Sequence, residues 1–334
     1  MENLPTVVIP ADEPPLVARS THLNDLRRIT NVRLFTDRPA SDAEMLERLA
    51  TADVLLNSRS AVKVSGTLLR QLPNLKMIAV CGIGYDSIDI QAATERNIVV
   101  SNIPGRTAGI VAEHAMALMF SVARRIPQMT RELRQHHWSS ELGVSLTGKR
   151  LGVIGTGNIG CEMMRLCRSV GMDVVAWTFQ PDQKKSSSIG FRYVAMKELL
   201  TTSDVISLHV RLSPQTVNMI GASEIARMKP GTILINTARA AVVDTNALAT
   251  ALLSGHLWGA GIDVFDAEPI LPDNPLLNCT NVALTPHSAD QTPEGIDLLT
   301  AGCVANIRAF LEGHPTNVVN ATDMSFRRNN RQGS

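Results

Sequence analysis

The segment Leu151-Gly152-Val153-Ile154-Gly155-Thr156-Gly157-Asn158-Ile159-Gly160 constrains the fold more than any other stretch of these 334 residues. An apolar run of strand length ends on a glycine-rich turn, and Ile159, Met163, Leu166 and Val170 then repeat at helical spacing until Gly171. Strand, tight turn and helix in that order make a parallel α/β unit. In such a unit Gly155 makes the turn, Gly157 lets the backbone approach a pyrophosphate, and Gly160 brings helix against strand. Free N–H groups at the helix start, with Thr156, Asn158 and Ile159, complete a site for a dinucleotide's phosphates. The glycine spacing alone is a weak signal; the strand before it and the helix after it give it weight.

The alternation continues through VVAW at 174 to 177, FRYV at 191 to 194, DVISLHV at 204 to 210, TILINTA at 232 to 238, GAGIDVF at 259 to 265 and NVALTPH at 281 to 287. Helical patterns at 159 to 170, near 196 to 201 and at 244 to 254 separate them, so six or seven strands form one doubly wound sheet. The opening third repeats the theme with TVVIP at 6, VRLF at 32, DVLLNS at 53, LKMIAVC at 75 and IVVSN at 98. Ser41 caps a helix whose third residue is Glu44 and whose Met45, Leu46, Leu49 and Ala50 share a face. A chain of this length, 44% hydrophobic, supports two cores. The expected fold class is α/β, with two Rossmann-like domains of doubly wound parallel sheet.

A breaker-free helical stretch at 109 to 125 marks the crossing between them, and the helix after 295 crosses back. Residues 1–102 with 296–320 are thus expected to form one discontinuous α/β domain, and 103–295 a dinucleotide-binding domain. The polar segment 124–149, with His136, His137 and Trp138, is either an arm packed on a second subunit or a surface connection, and 321–334 is a mobile tail.

With 32 basic and 31 acidic residues the net charge is +1, which gives no field to hold nucleic acid or an anionic membrane. Five cysteines without a CxxC pair argue for a reducing compartment, and Cys161 and Cys167 read as small core-facing residues. The N-terminus carries acids and prolines where a signal peptide has a basic head, so cytoplasm is the expected location. No metal is expected: His136 and His137 diverge on a helix, HExxH and cysteine clusters are absent, and Asp86 and Asp89 suit a helix cap.

Arg239, Glu268 and His287 each follow a strand-like run downstream of the glycine turn. Singly, each has a plain alternative: an arginine capping a carbonyl, a glutamate in solvent, a structural histidine. Together, at the carboxyl edge of one parallel sheet, they surround a single bound dinucleotide.

These segments resemble the D-isomer-specific 2-hydroxyacid dehydrogenases over roughly residues 50 to 320: the turn, NTAR continuing to Val243-Asp244, DVFDAEP and TPH stand in the family's order, with PG at 104 and VAEHA at 111 upstream. The resemblance implies a site in the cleft between the domains, a homodimer built through the nucleotide domains, NAD or NADP as cofactor, and a small 2-oxo or 2-hydroxy acid held by the loop CGIGYD at 81 to 86. By the same resemblance His287 protonates the carbonyl oxygen in reduction and Glu268 orients its ring and keeps the proton available. Arg239 grips the carboxylate, Asp263 accepts from the nicotinamide carboxamide, and backbone N–H groups of Ile83 and Gly84 complete substrate binding. Glyoxylate and hydroxypyruvate are the first candidate substrates.

Four positions depart from the pattern. Ala240 replaces a glycine, Arg211 a proline, and Ile110 a small polar residue. Thr178 stands where a carboxylate usually receives the ribose hydroxyls, which favours NADP slightly, with Lys184, Lys185 or Arg211 as phosphate partners. Glutamine at 268 would signal a formate dehydrogenase and lysine at 83 a phosphite dehydrogenase; neither is present. The alternatives are a dinucleotide-sensing corepressor-like interaction protein, which the brief termini disfavour, or a 3-phosphoglycerate dehydrogenase without an appended domain.

Overall fold

The computed structural model describes residues 4–138 and 140–321, which form two compact units: residues up to 107 together with those from 292, and residues 108–291. Apart from Ala321, the expected mobile tail lies outside the described residues.

The first unit carries strands β1 (Thr6–Ile9), β2 (Asn31–Leu34), β3 (Val54–Ser58), β4 (Met77–Cys81) and β5 (Val99–Ser101), all parallel, in the order β2-β1-β3-β4-β5. Alternating side chains feed two cores. Val8, Leu55, Ile78 and Val100 meet helices that include Asp42–Leu49, whereas Val7, Ile9, Leu56 and Met77 meet Leu299, Cys303 and Ile307 of the helix Pro293–Leu311. Ser41 caps as its sequence position suggests, accepting from the Glu44 N–H at 3.2 Å, and the Glu44 carboxylate reaches back to the Ala40 N–H at 2.7 Å. Asp89 caps the helix Ile90–Glu95.

The second unit carries β6 (Arg150–Ile154), β7 (Asp173–Trp177), β8 (Arg192–Tyr193), β9 (Val205–Leu208), β10 (Thr232–Asn236), β11 (Leu257–Ile262) and β12 (Val282–Leu284), in the order β12-β11-β10-β9-β6-β7-β8, again all parallel. Leu151, Val153, Val205, Ile233 and Ile235 pack on the helices Ala108–Ala123 and Asn158–Ser169. Ile154, Ile206, Leu208 and Leu234 turn the other way, onto the helices Met196–Thr202, Ala222–Arg227 and Thr245–Leu253.

The unit borders, 107/108 and 291/292, fall where helices Ala108–Ala123 and Pro293–Leu311 begin, a few residues from the 102/103 and 295/296 read from sequence. Two segments carry more order than their composition suggests. The arm includes a helix, Ile126–Arg134, set off by Arg125 in a left-handed conformation (φ 52°), with Pro127 in its first turn. The polar run KKSSS lies in the helix Gln183–Ile189, because the Asp182 side chain caps Lys184 N–H at 2.9 Å.

Candidate active site

Strand register builds the site. The last paired residues of five adjacent strands stand in one row, Ile154–Leu208–Asn236–Ile262–Leu284. Gly155, His209, Thr237, Asp263 and Thr285 are therefore the first residues past the sheet's carboxyl edge, spaced by about one strand separation, ~4.8 Å each. The chain order reverses between β6 and β9, so the crevice beside Gly155 is the switch point of a doubly wound sheet.

Gly155 has φ +103°, and a Cβ there would lie 2.5 Å from the His209 carbonyl oxygen. At Gly160 a Cβ would overlap the Gly155 carbonyl oxygen, so both glycines are required by close approach. Gly157 differs: a Cβ there meets nothing within 4 Å, and this N-cap residue leaves the first N–H groups of helix Asn158–Ser169 without a side-chain cap. Open space over uncapped helix donors fits a pyrophosphate. At the edge of β10 the Thr237 hydroxyl is buried without a partner, a second group with hydrogen-bonding capacity to spare. These features fit a dinucleotide.

On the adenosine side, Thr178 directly follows β7. The Tyr193 hydroxyl ties the glycine turn to the next loop, lying 3.2 Å from Thr156 Oγ1 and accepting from Asp182 N–H at 3.1 Å. Lys185 brings its ammonium to the Thr156 carbonyl at 3.3 Å, which sets a cation beside the turn. Arg211 follows β9 by three positions, its carbonyl held by Thr216 Oγ1 at 2.8 Å. Burial pushes the His209 pKa down to about 4, so this imidazole, bonded to Ser207 Oγ at 2.8 Å, is neutral near pH 7.

His287 and Glu268 meet: Nδ1 lies 2.7 Å from Glu268 Oε2, while Glu268 Oε1 accepts from the Phe265 N–H at 3.1 Å. Partial burial raises the Glu268 carboxyl, but the His287 hydrogen bond, the Phe265 N–H and the Arg239 charge outweigh it, and its pKa lies below the ordinary value. An ionised carboxylate only accepts, so His287 carries a proton on Nδ1, and Nε2 is the ring nitrogen that does not face Glu268. The two side chains are 37% and 39% exposed, open enough for a reactant to reach the ring. Arg239 stands in extended backbone just past β10, Asn236 Nδ2 holding its carbonyl at 2.9 Å. One guanidinium prong, Nη1, caps the Ala238 carbonyl at 2.7 Å, the plain role that its sequence position also allowed.

The sequence did not show which groups of the protein Asp263 meets. Fully buried, it accepts from Thr285 Oγ1 at 2.6 Å, Ser288 N–H at 2.8 Å and Ala289 N–H at 3.1 Å, and His114 Nε2 lies 3.5 Å away. His287 has φ +49°, a conformation that costs a non-glycine residue about 1–3 kcal/mol and persists only where its surroundings hold it. Ile83 and Gly84 belong to the first unit, where their loop is fixed by its carbonyls: Asn102 Nδ2 donates to Ile83 at 2.7 Å and Ser60 Oγ to Gly84 at 3.4 Å. Among the described residues no His, Cys, Asp and Glu group could hold a metal ion, all five cysteines are buried and free, and no helix is long and apolar enough to cross a membrane.

Residues 116–289 match the family model described as D-isomer specific 2-hydroxyacid dehydrogenase, NAD binding domain. A glyoxylate reductase of Thermococcus litoralis is 40% identical over 306 residues, covering 88% of this chain and 92% of its own. A D-3-phosphoglycerate dehydrogenase of Archaeoglobus fulgidus is 42% identical over 238 residues, 71% of this chain; the match spans 45% of that longer protein. Among solved structures, an acyclic imino acid reductase in complex with NADPH and D-Arg superposes with a TM-score of 0.85 at 27% identity, over 94% of this chain and 99% of that one.

Proposed function

This chain belongs to the D-isomer-specific 2-hydroxyacid dehydrogenase family, NAD- or NADP-dependent oxidoreductases acting on CH–OH groups, and from that premise we propose that it reduces a small 2-oxo acid to its D-2-hydroxy acid. Glyoxylate and hydroxypyruvate are the substrates we favour. The observation that carries the reading is the His287–Glu268 pair at 2.7 Å with the ring still open to a reactant.

A nicotinamide bound in its reduced form would supply the hydride for the carbonyl carbon. All else falls to side chains and backbone. Protonated His287 gives the Nε2 proton to the carbonyl oxygen, and neutral His287 takes it back in the oxidation, a role worth ~10² to 10⁴ in rate. Glu268 fixes the ring through Nδ1 and offsets the charge of the imidazolium. Arg239 holds the carboxylate of the acid, for which a planar guanidinium suits better than an ammonium. Ile83 and Gly84 donate backbone N–H groups to the substrate. Gly155, Thr156, Gly157, Asn158, Ile159 and Gly160 hold the pyrophosphate, and Asp263 lies at the nicotinamide end. With Thr178 in place of a carboxylate and Lys185 beside the turn, NADP is the preferred cofactor.

The domain roles follow: the second unit binds the dinucleotide, and the first, with the helix Pro293–Leu311, contributes substrate donors. A homodimer through the arm suits its exposed apolar residues, Trp138 at 90% and Leu142 at 86%. Cytoplasm is the compartment we assign. A second reading, oxidation of a phosphorylated 2-hydroxy acid, draws support from the 42% identity to a phosphoglycerate dehydrogenase.

Steady-state turnover of glyoxylate, hydroxypyruvate, pyruvate and phosphohydroxypyruvate with NADH and NADPH tests the proposal. Turnover highest on an unphosphorylated acid with NADPH is the expected result. Tight dinucleotide binding with no turnover on any 2-oxo acid would instead favour a sensing role.

A further inference from the structure

The acid–base histidine projects from a strained backbone; Gln291 Nε2 donates to its carbonyl at 3.3 Å, and the residues that flank it are fixed by a chain of hydrogen bonds ending on the helix Ala108–Ala123. That helix lies so close to β11 that a Cβ on Gly261 would stand 2.8 Å from Leu118 Cβ, and one on Gly259 2.6 Å from Val122 Cγ1. His114, on the same helix, reaches Thr285 Oγ1 with Nε2 at 2.9 Å and Asp263 Oδ1 at 3.5 Å.

The direction of each bond follows from valence. The Thr285 hydroxyl has one hydrogen, and its 2.6 Å bond to Asp263 Oδ1 uses it, because an ionised carboxylate cannot donate. Thr285 therefore accepts from His114, which must carry its proton on Nε2. Every donor now points toward one carboxylate: His114 to Thr285, Thr285 to Asp263, and the Ser288 and Ala289 N–H groups to its two oxygens. Burial raises the Asp263 pKa, but the nearby His114 Nε2–H, 3.5 Å away, and the bonds from Thr285 and Ser288 outweigh it, so the carboxylate stays ionised. Residues 285, 288 and 289 are thereby tied down on both sides of His287, whose own N–H bonds the Thr285 carbonyl at 2.9 Å.

We propose that His114 is a positioning residue for the acid–base step, fixing through Thr285 and Asp263 the backbone from which the His287 imidazole projects. The inference rests on the role given to His287 under the proposed function. Because His114 touches neither Arg239 nor the glycine turn in this network, its loss leaves the proposed carboxylate and pyrophosphate contacts in place and disturbs the placement of the proton donor.

The test compares His114→Ala and His114→Gln, the latter keeping a donor, by steady-state kinetics on the best 2-oxo acid, dinucleotide titration, and hydrogen–deuterium exchange of the peptide spanning residues 285–291. For His114→Ala, kcat should fall about ten- to a hundredfold, as a misplacement near 1 Å can, with KM and dinucleotide Kd within about twofold of wild type. Exchange at Ser288 and Ala289 should quicken, and His114→Gln should recover most of both losses. An unchanged kcat in His114→Ala, or a loss that His114→Gln shares in full while exchange stays at the wild-type rate, overturns the inference. If the wild type turns over no 2-oxo acid, the proposed function fails, and the exchange rates decide about His114: quickened in His114→Ala and restored in His114→Gln, the network stands; unchanged, it falls.

Discussion

Two glycines three residues apart should respond to the same substitution in opposite ways. At Gly157 the backbone is extended (φ −72°, ψ −170°) and an added Cβ meets no atom within 4 Å. Alanine at an N-cap loses about 0.5–1 kcal/mol against glycine, while stiffening the unfolded chain returns about 0.4–1 kcal/mol. Gly157→Ala should therefore fold with Tm within about 2 °C of wild type. At Gly160 the new Cβ would overlap the Gly155 carbonyl oxygen and lie 3.2 Å from its carbon and 3.3 Å from Val153 Cγ1, against backbone that cannot rotate away. Overpacking of that kind costs about 1–3 kcal/mol, so Gly160→Ala should melt several degrees lower.

Dinucleotide affinity discriminates further. In Gly157→Ala the methyl group occupies the open space assigned to the pyrophosphate, and losing one charge-assisted bond of about 1.5–3 kcal/mol raises Kd about 10- to 150-fold. Calorimetric titration with NADPH and scanning calorimetry read the two effects separately. Wild-type affinity in a well-folded Gly157→Ala protein would refute the assignment of that space.

Other perturbations follow from the same geometry. The folded Asp263 pKa is lowered, so its contribution to stability is complete above the unfolded value of about 4 and is lost as pH falls through the lower folded value; urea midpoints of Asp263→Asn should lie below wild type at pH 7 and converge with it at strongly acidic pH. A gap that persisted undiminished into acid would contradict that sign. Thr178→Asp should weaken NADPH binding about tenfold or more by charge repulsion while NADH stays within about threefold, measured by fluorescence titration. Leu142→Asp should shift the protein toward monomer in light scattering, since Leu142 is 86% exposed on the arm; an unchanged mass would remove this face from the dimer proposal.

Much of this was legible before any coordinates. Ile159, Met163, Leu166 and Val170 announced the helix behind the turn, and the strand-like runs at 232 to 238, 259 to 265 and 281 to 287 held the ends of strands that stop earlier, at Asn236, Ile262 and Leu284. Local order governed by single side chains was harder to read. The helix Ile126–Arg134 hid in a polar segment because Arg125 breaks the preceding helix through its backbone, and KKSSS became helical because Asp182 caps it. The Asp263 network lay outside sequence reach. Its partners His114, Thr285 and Ser288 are brought together by strand register and by a helix packed on β11, and no local pattern encodes either.

The central claim is that His287 moves the proton while other groups bind the dinucleotide. Single-turnover reduction of the preferred 2-oxo acid by His287→Ala, with cofactor Kd measured on the same sample, addresses it most directly. The account predicts a rate loss of ~10² to 10⁴ with Kd near the wild-type value. A rate within about threefold of wild type, or a loss of affinity matching the loss of rate, would contradict it.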